Sequence, residues 1–267
     1  MNFQFSKSVP ERVPQYVALF QRAFPGNTKL SSKYLQWLYR DNPDGALVGF
    51  DAFHGQKLVG HYACVPRQYV GAEGPKRCLH SVNTATDPEF TRRGLFTRLA
   101  EMTYEAATRA GFQFVFGVAN KNSISGFTSK LGFDSLGNVR LGLMGSLDVG
   151  AQAGSFTTSK KWTQWRLKNP SRKYCCVPAN QTKAKIYCRS SLAAIILGEI
   201  DQIDIPLYRL EVPKFTTPLR LAPTYPCTSA IKVPNGLMPS PWHVIARPLS
   251  DSCYPNIKLS GLDLDSF

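Results

Sequence analysis

The sequence predicts an α/β (α+β) chain built on a parallel βαβ unit, and three observations predict it. Residues 81–88, Ser-Val-Asn-Thr-Ala-Thr-Asp-Pro, are a β-branched run halted by proline. From Thr91 onward Leu95, Leu99, Met102, Ala106 and Ala110 recur at steps of three or four, the period of a helix with one buried face. Phe112 to Val118 is then nearly all apolar, as a strand covered on both faces should be. Two strands joined by one helix make a right-handed parallel crossover, which puts the loop from Glu89 to Phe96 beyond the carboxyl ends of the strands, where open sheets bind ligands.

The other elements follow along the chain. Lys33 to Pro43 is a short amphipathic helix stopped at a proline. Ala46 to Phe53 and Lys57 to Val65 read as a hairpin around His54-Gly55. Gly111 stands where a glycine ends the helix that begins near Thr91, and an Asn-rich turn at Asn120 leads to Lys130-Leu-Gly-Phe133. Lys161 to Pro170 then repeats Lys33 to Pro43: Gln164 matches Gln36, Trp165 matches Trp37, and Asn169-Pro170 match Asn42-Pro43. Tyr174 to Val177 and Lys183 to Arg189 repeat the hairpin around Asn180-Gln181. The expected organisation is a first domain over 1–150 and a worn copy of it over 151–267. No glycine loop opens a helix after Ser191 to Ile200, and prolines from Pro213 onward argue against a long third helix. Trp242 to Arg247 is expected as a strand of the second copy, and the acidic tail with Asp263 and Asp265 as a solvated end.

Charge and composition narrow the class. A hydrophobic content of 43% supplies material for real cores. The net charge of +14 is spread over both halves, +6 on 1–150 and +8 on 151–267, and would steer anionic ligands. It lacks a dense Lys/Arg tract, zinc-finger spacing or an RNP-type motif, so nucleic acid is not an expected partner. Seven cysteines show no Cys-x-x-Cys or Cys/His spacing, so no metal is expected and the thiols read as buried or inert. No signal-peptide core or bilayer-length apolar stretch stands out, and the expectation is a soluble, cytoplasmic chain without a membrane partner.

The loop carries the chemistry. A strand entering a helix through a short, basic, glycine-bearing loop leaves backbone N–H groups converging on one spot, backed by the positive end of the helix dipole, which is a pyrophosphate cradle. The stretch Thr91-Arg92-Arg93-Gly94-Leu95-Phe96 resembles the Q/R-x-x-G-x-G/A signature of the GNAT superfamily of acetyl-coenzyme A-dependent N-acetyltransferases. Gly94 matches, whereas Thr91 replaces Gln or Arg and Phe96 replaces Gly or Ala, the latter as in a bacterial branch with an Arg-x-Gly-Leu-Phe loop. Thr86-Asp87-Pro88 and Asn120 to Phe133 resemble further motifs of that branch.

The resemblance implies a GNAT fold, a mixed sheet with a central parallel βαβ unit, here as two tandem GNAT-like lobes with the second degenerate. It implies an acetyltransferase with acetyl-coenzyme A as acyl donor and a primary amine of a small molecule, an amino sugar first, as acceptor. A homodimer is carried as a further expectation. The cofactor-binding candidates are Ala85, Thr86, Thr91, Arg92, Arg93, Gly94, Leu95, Phe96, Thr97, Asn120, Asn122 and Ser123. A backbone N–H near Ala85 or Thr86 would polarise the thioester. His80 and His61 are the candidate general bases, with Asp87 and Glu89 flanking the loop. The tyrosine with which the family often protonates the leaving thiolate is replaced by Phe127 and Thr128, leaving Ser123, Ser125 or Thr128 to substitute through a water, or no protein acid at all. Two other readings stay open: a tRNA-dependent aminoacyl transferase of the Fem type, and a non-catalytic acyl-coenzyme A-binding protein.

Overall fold

The computed structural model describes residues 2–71, 74–143, 155–189, 194–201, 220–226, 242–250 and 254–264. In chain order the elements are β1 (Gln4–Lys7), α1 (Val13–Ala23), α2 (Ser32–Tyr39), β2 (Val48–His54), β3 (Lys57–Gly71), β4 (Gly74–Thr86), α3 (Leu95–Arg109), β5 (Phe114–Ala119), α4 (Ile124–Lys130) and β6 (Asp134–Leu143). The second half adds β7 (Ser155–Phe156), α5 (Lys160–Leu167), β8 (Tyr174–Pro178), β9 (Lys183–Arg189), β10 (Ala194–Asp201), β11 (Arg220–Tyr225), β12 (Trp242–Pro248) and β13 (Leu259–Ser260). The strands form one mixed sheet in the order β1-β2-β3-β4-β5-β12-β6-β11-β10-β9-β8, with β13 on β11 and β7 on β3.

The βαβ unit is as the periodicity predicts. β4 and β5 are parallel neighbours, and α3 buries Leu95, Leu99, Ala100, Tyr104 and Ala107 against Val59, Tyr62, Cys64, Leu79 and Val115 of the sheet, joined by Phe127 of α4. Gly111 follows the end of α3 with φ of 78°, the left-handed geometry that glycine adopts without cost. On the opposite face α1 and α2 cover the sheet with Tyr16, Leu19, Phe20, Leu35 and Leu38. No helix of the described residues is long and apolar enough to cross a membrane.

The repeat seen in the sequence has a spatial counterpart. Ser31 caps α2 through the Tyr34 amide, and Ser159 caps α5 through the Trp162 amide. Asn42 and Asn169 each accept a bond from the amide two residues on. The two helices meet through Trp37 and Trp165, whose rings stack at 4.4 Å and 9° while each indole N–H donates to the other's backbone carbonyl at 2.8 Å. Such reciprocity is what a local two-fold axis produces. Parallel pairing of β4 with β5 recurs as parallel pairing of β10 with β11.

Two expectations need correction. Trp242 to Arg247 is a strand, but it lies in the sheet of the first half, antiparallel to both β5 and β6. Its Val244, Ile245 and Ala246 are all buried, as befits a strand covered on both faces, and that pattern says nothing of which sheet it joins. Conversely, Arg140 to Leu143 of β6 pair with β11. The halves thus exchange strands, and the sheet does not divide at residue 150. The second correction is Asp263, expected as a solvated tail: it caps a 3-10 turn at Gly261–Asp263 and pairs with the buried Arg67 of β3 at 2.8 Å. Asp265, Cys227, Cys253 and residues 202–219 and 227–241 lie outside the described residues. Cys64, Cys78, Cys175, Cys176 and Cys188 are in no disulfide, and burial pushes the Cys64 thiol up to about 12.

Candidate active site

The candidate site lies where β4 and β5 part. Their parallel ladder runs from Cys78–Phe114 to Ser81–Gly117 and stops there. Beyond that point β4 continues to Thr86 along β3, and β5 to Ala119 along β12, so each strand holds its outer neighbour and leaves the other. A bulge accompanies the parting. In the β3–β4 register Ala63 faces Val82 and His61 faces Ala85, which leaves Asn83 and Thr84 opposite the single residue Tyr62. Asn83 takes φ of 47°. A bulge bends the strand and turns backbone groups out of the ladder, and asparagine tolerates the left-handed conformation better than most residues.

At the open end of this groove β4 passes through a 3-10 turn at Pro88–Phe90 into α3. Gly94 is the N-cap of α3 with φ of 73° and ψ of 3°, and Arg92 also has positive φ, 59°. Among the described residues no side chain caps α3, so the first-turn amides of Leu95, Phe96 and Thr97 have no side-chain acceptor there. The exposed Arg92 and Arg93 flank them, with the Arg93 guanidinium over the Phe90 ring at 5.6 Å. Thr91 is committed to its own turn, donating to the Pro88 carbonyl at 3.2 Å. This arrangement can hold a diphosphate.

The remaining candidates fall into three groups. Ala85 and Thr86 line the parted end of β4. Asn120 accepts from the amides of Asn122 and Ser123, and the Ser123 hydroxyl donates back to Asn120, so Asn120 and Ser123 build the turn after β5 while Asn122 is exposed. His80 is 8% exposed and stacks on Phe116 at 4.6 Å. Asp87 is nearly buried, paired with Arg22 at 2.7 Å and Lys57 at 3.2 Å, and Glu89 with Lys57 at 2.9 Å, so both flanking carboxylates are tied to cations. Among the described residues no group of three His, Cys, Asp or Glu side chains could hold a metal ion.

His61 is fully buried. Its Nδ1 lies 2.7 Å from Asp51, its Nε2 lies 3.1 Å from the Tyr39 hydroxyl, and its ring stacks on Tyr16 at 4.1 Å. Tyr39 in turn neighbours Asn83 at the bulge. Burial alone would push the Asp51 carboxyl up, but His61, Ser8 and Arg12 outweigh it and hold the group below the ordinary carboxylate value. Such a carboxylate stabilises the fold fully above the unfolded value, about 3.9, and the stabilisation is lost as pH falls through the lower folded value. The stability difference between wild type and Asp51→Asn, from urea midpoints, is therefore expected to be largest above about pH 4 and to shrink below it; a difference that grows on acidification would refute this. Asn83 and Asp51 were not signalled as site residues. The one available cue was an asparagine inside a β-branched run, which favours a bulge.

Comparison with known proteins adds the family. The model of the acetyltransferase (GNAT) domain matches residues 5–135, from β1 to the start of β6. None of the curated proteins matches the sequence. Among solved structures, a GCN5-related N-acetyltransferase from Anabaena variabilis superposes with a TM-score of 0.61 at 11% identity, covering 93% of this chain and 73% of that one. A conserved protein of unknown function from Enterococcus faecalis gives the same values. A GCN5-related N-acetyltransferase from Kribbella flavida has a TM-score of 0.58 at 9% identity, covering 92% and 71%. At such identities the likeness is one of fold, and it runs through both halves of the chain.

Proposed function

Because residues 5–135 belong to the GNAT acetyltransferase family, which makes the chain an acyltransferase, we propose that it moves an acetyl group from acetyl-coenzyme A directly to a primary amine of a small molecule, an amino sugar first among the candidates. The observation that carries this reading is the parting of β4 from β5 beneath an N-terminus of α3 that no side chain of the described residues caps. The pyrophosphate would rest on the amides of Leu95 to Thr97 around Gly94, and the pantetheine arm would enter between the strands. A backbone N–H of the bulged segment between Asn83 and Thr86 would polarise the thioester carbonyl, a preorganised donor worth about 3 kcal/mol in the transition state.

On this reading residues 1–150 supply the reacting groups and 151–267 form a degenerate second lobe, which returns β12 to complete the first sheet. With His61 enclosed and His80 stacked, no exposed base is required: an amine whose pKa lies near neutrality loses its proton to water.

Calorimetry with acetyl-coenzyme A, followed by thiol release across a panel of amines, tests the proposal. Binding with turnover on at least one amine is the expected result. Absence of binding would favour the aminoacyl-transferase reading, and binding without turnover on any amine would favour an acyl-coenzyme A-binding protein.

A further inference from the structure

The groove between β4 and β5 closes at Ser81 and Gly117, and a chain of hydroxyls ends there. Ser81 is half-buried. Its Oγ lies 3.0 Å from the hydroxyl of Tyr62 on β3, and that hydroxyl lies 2.6 Å from the hydroxyl of Tyr104 on α3. Tyr62 is fully buried and Tyr104 nearly so. Across from Ser81, Gly117 offers no side chain; a Cβ there would stand 3.4 Å from the Ser81 Cβ. The hydroxyl chain thus runs from the core of the sheet to the apex of the groove and stops at its one half-exposed member.

Of the candidate groups at α4, all but Ser125 are engaged elsewhere. Phe127 packs between Phe96 and Phe133, and Thr128 donates to the Ile124 carbonyl at 3.1 Å. Ser123 is held in the turn with Asn120, and Ser125 is exposed. A pantetheine arm anchored at Gly94 and laid along β4 would run from Thr86 towards Ser81, so its sulfur end approaches the apex.

We propose that Ser81, oriented by Tyr62 and Tyr104, donates a hydrogen bond to the coenzyme A sulfur as the thiolate departs; this rests on the acetyl-coenzyme A reading above. In the step, the amine nitrogen bonds to the carbonyl carbon, the C–S bond breaks with its electron pair going to sulfur, and the surplus proton on nitrogen passes to water. The three hydroxyls keep their protons and stabilise the charge on sulfur. Burial raises both tyrosines well above their ordinary value, so they remain donors throughout the working range. The other groups nearby are Cys64, the register partner of Ser81 on β3, and Arg247 of β12, which lies over the Tyr104 ring at 4.8 Å. The Cys64 thiol, pushed up to about 12, is neutral.

The test uses the full chain and coenzyme A itself. Calorimetry gives the affinity, and the ultraviolet absorbance of the thiolate gives the pKa of the bound thiol, with no acceptor amine needed. The wild-type complex is expected to titrate below free coenzyme A. Ser81→Ala should lower the thiolate fraction about tenfold at a given pH, as loss of one hydrogen bond to a charged group implies. Ser81→Thr should restore it, and Tyr62→Phe should shift it the same way by about threefold. An unchanged titration in Ser81→Ala, with affinity within about twofold of wild type, would overturn the inference. If Ser81→Ala does not fold, Tyr62→Phe decides alone, and no shift there overturns it. A wild-type chain that binds no coenzyme A would instead overturn the acetyl-transfer reading itself.

Discussion

Gly94→Val is expected to remove measurable coenzyme A binding while leaving the chain folded. A Cβ at Gly94 would meet nothing within 4 Å, so the substitution causes no clash inside the protein. Its effect comes from the backbone: at φ of 73° a β-branched residue is strained by about 1–2 kcal/mol or more, and the loop relieves this by rotating towards negative φ. That rotation turns the first amides of α3 away from their common focus. Two lost amide–phosphate bonds at about 1.5–3 kcal/mol each imply a fall in affinity of at least about 100-fold. The melting temperature should drop by only a few degrees. Gly94→Asn, which accepts left-handed geometry, should stay within about tenfold of wild type. Arg93→Ala removes an exposed charge and no backbone group, and should cost about threefold. Calorimetry with acetyl-coenzyme A on the three variants reads all of this, and a valine variant that binds like wild type would remove the cradle from the mechanism.

The features legible in the sequence are those with short-range causes. Gly94, the 3.6-residue period of α3 and the apolar run of β5 are each set by neighbouring residues; the element types are as the pattern has them, but α3 begins at Leu95 rather than near Thr91, because Gly94 takes left-handed φ ahead of it, and β5 begins at Phe114 rather than Phe112. The match of Lys33–Pro43 to Lys161–Pro170 was legible for the same reason, although nothing local showed that Trp37 and Trp165 would stack on each other. What escaped depends on residues far apart in the chain. β12 reads as a buried strand wherever it is placed, and only its pairing with Gly117 and Ser135 shows which sheet it completes. Ser81, Tyr62 and Tyr104 are an ordinary serine and two core tyrosines until β3, β4 and α3 bring their hydroxyls within 3.0 Å of one another in sequence. His61 was legible as a histidine on a strand but not as an enclosed one, because Tyr16, Phe20 and Tyr39 reach it from two helices.

Asp263→Ala should be among the most destabilising single substitutions on this chain. Arg67 lies inside the protein, 4% exposed, with its guanidinium 4.1 Å from the Trp162 ring and 5.3 Å from that of Phe156. Two carboxylates face it. Asp44 stands at 3.6 Å and is pushed up by burial, which weakens it as a counter-charge; Asp263 stands at 2.8 Å. Asp263 also accepts from the Ser260 amide and hydroxyl at 3.0 and 2.9 Å, so the same side chain fixes the turn that carries it. Removing one partner of a buried ion pair costs about 3–5 kcal/mol, most of it the penalty of the charge left behind. For a chain of this size that is a fall in melting temperature of roughly 10 °C. Because the penalty belongs to Arg67, adding Arg67→Met to Asp263→Ala should recover part of the loss, whereas two independent contributions would add. Asp263→Asn, which keeps an acceptor for Ser260 but not the charge, should fall between wild type and alanine. A loss below about 1 kcal/mol in the alanine variant, measured by urea denaturation, would mean that Asp44 alone satisfies Arg67 and that the Gly261–Asp263 turn is not what ties the second half to β3.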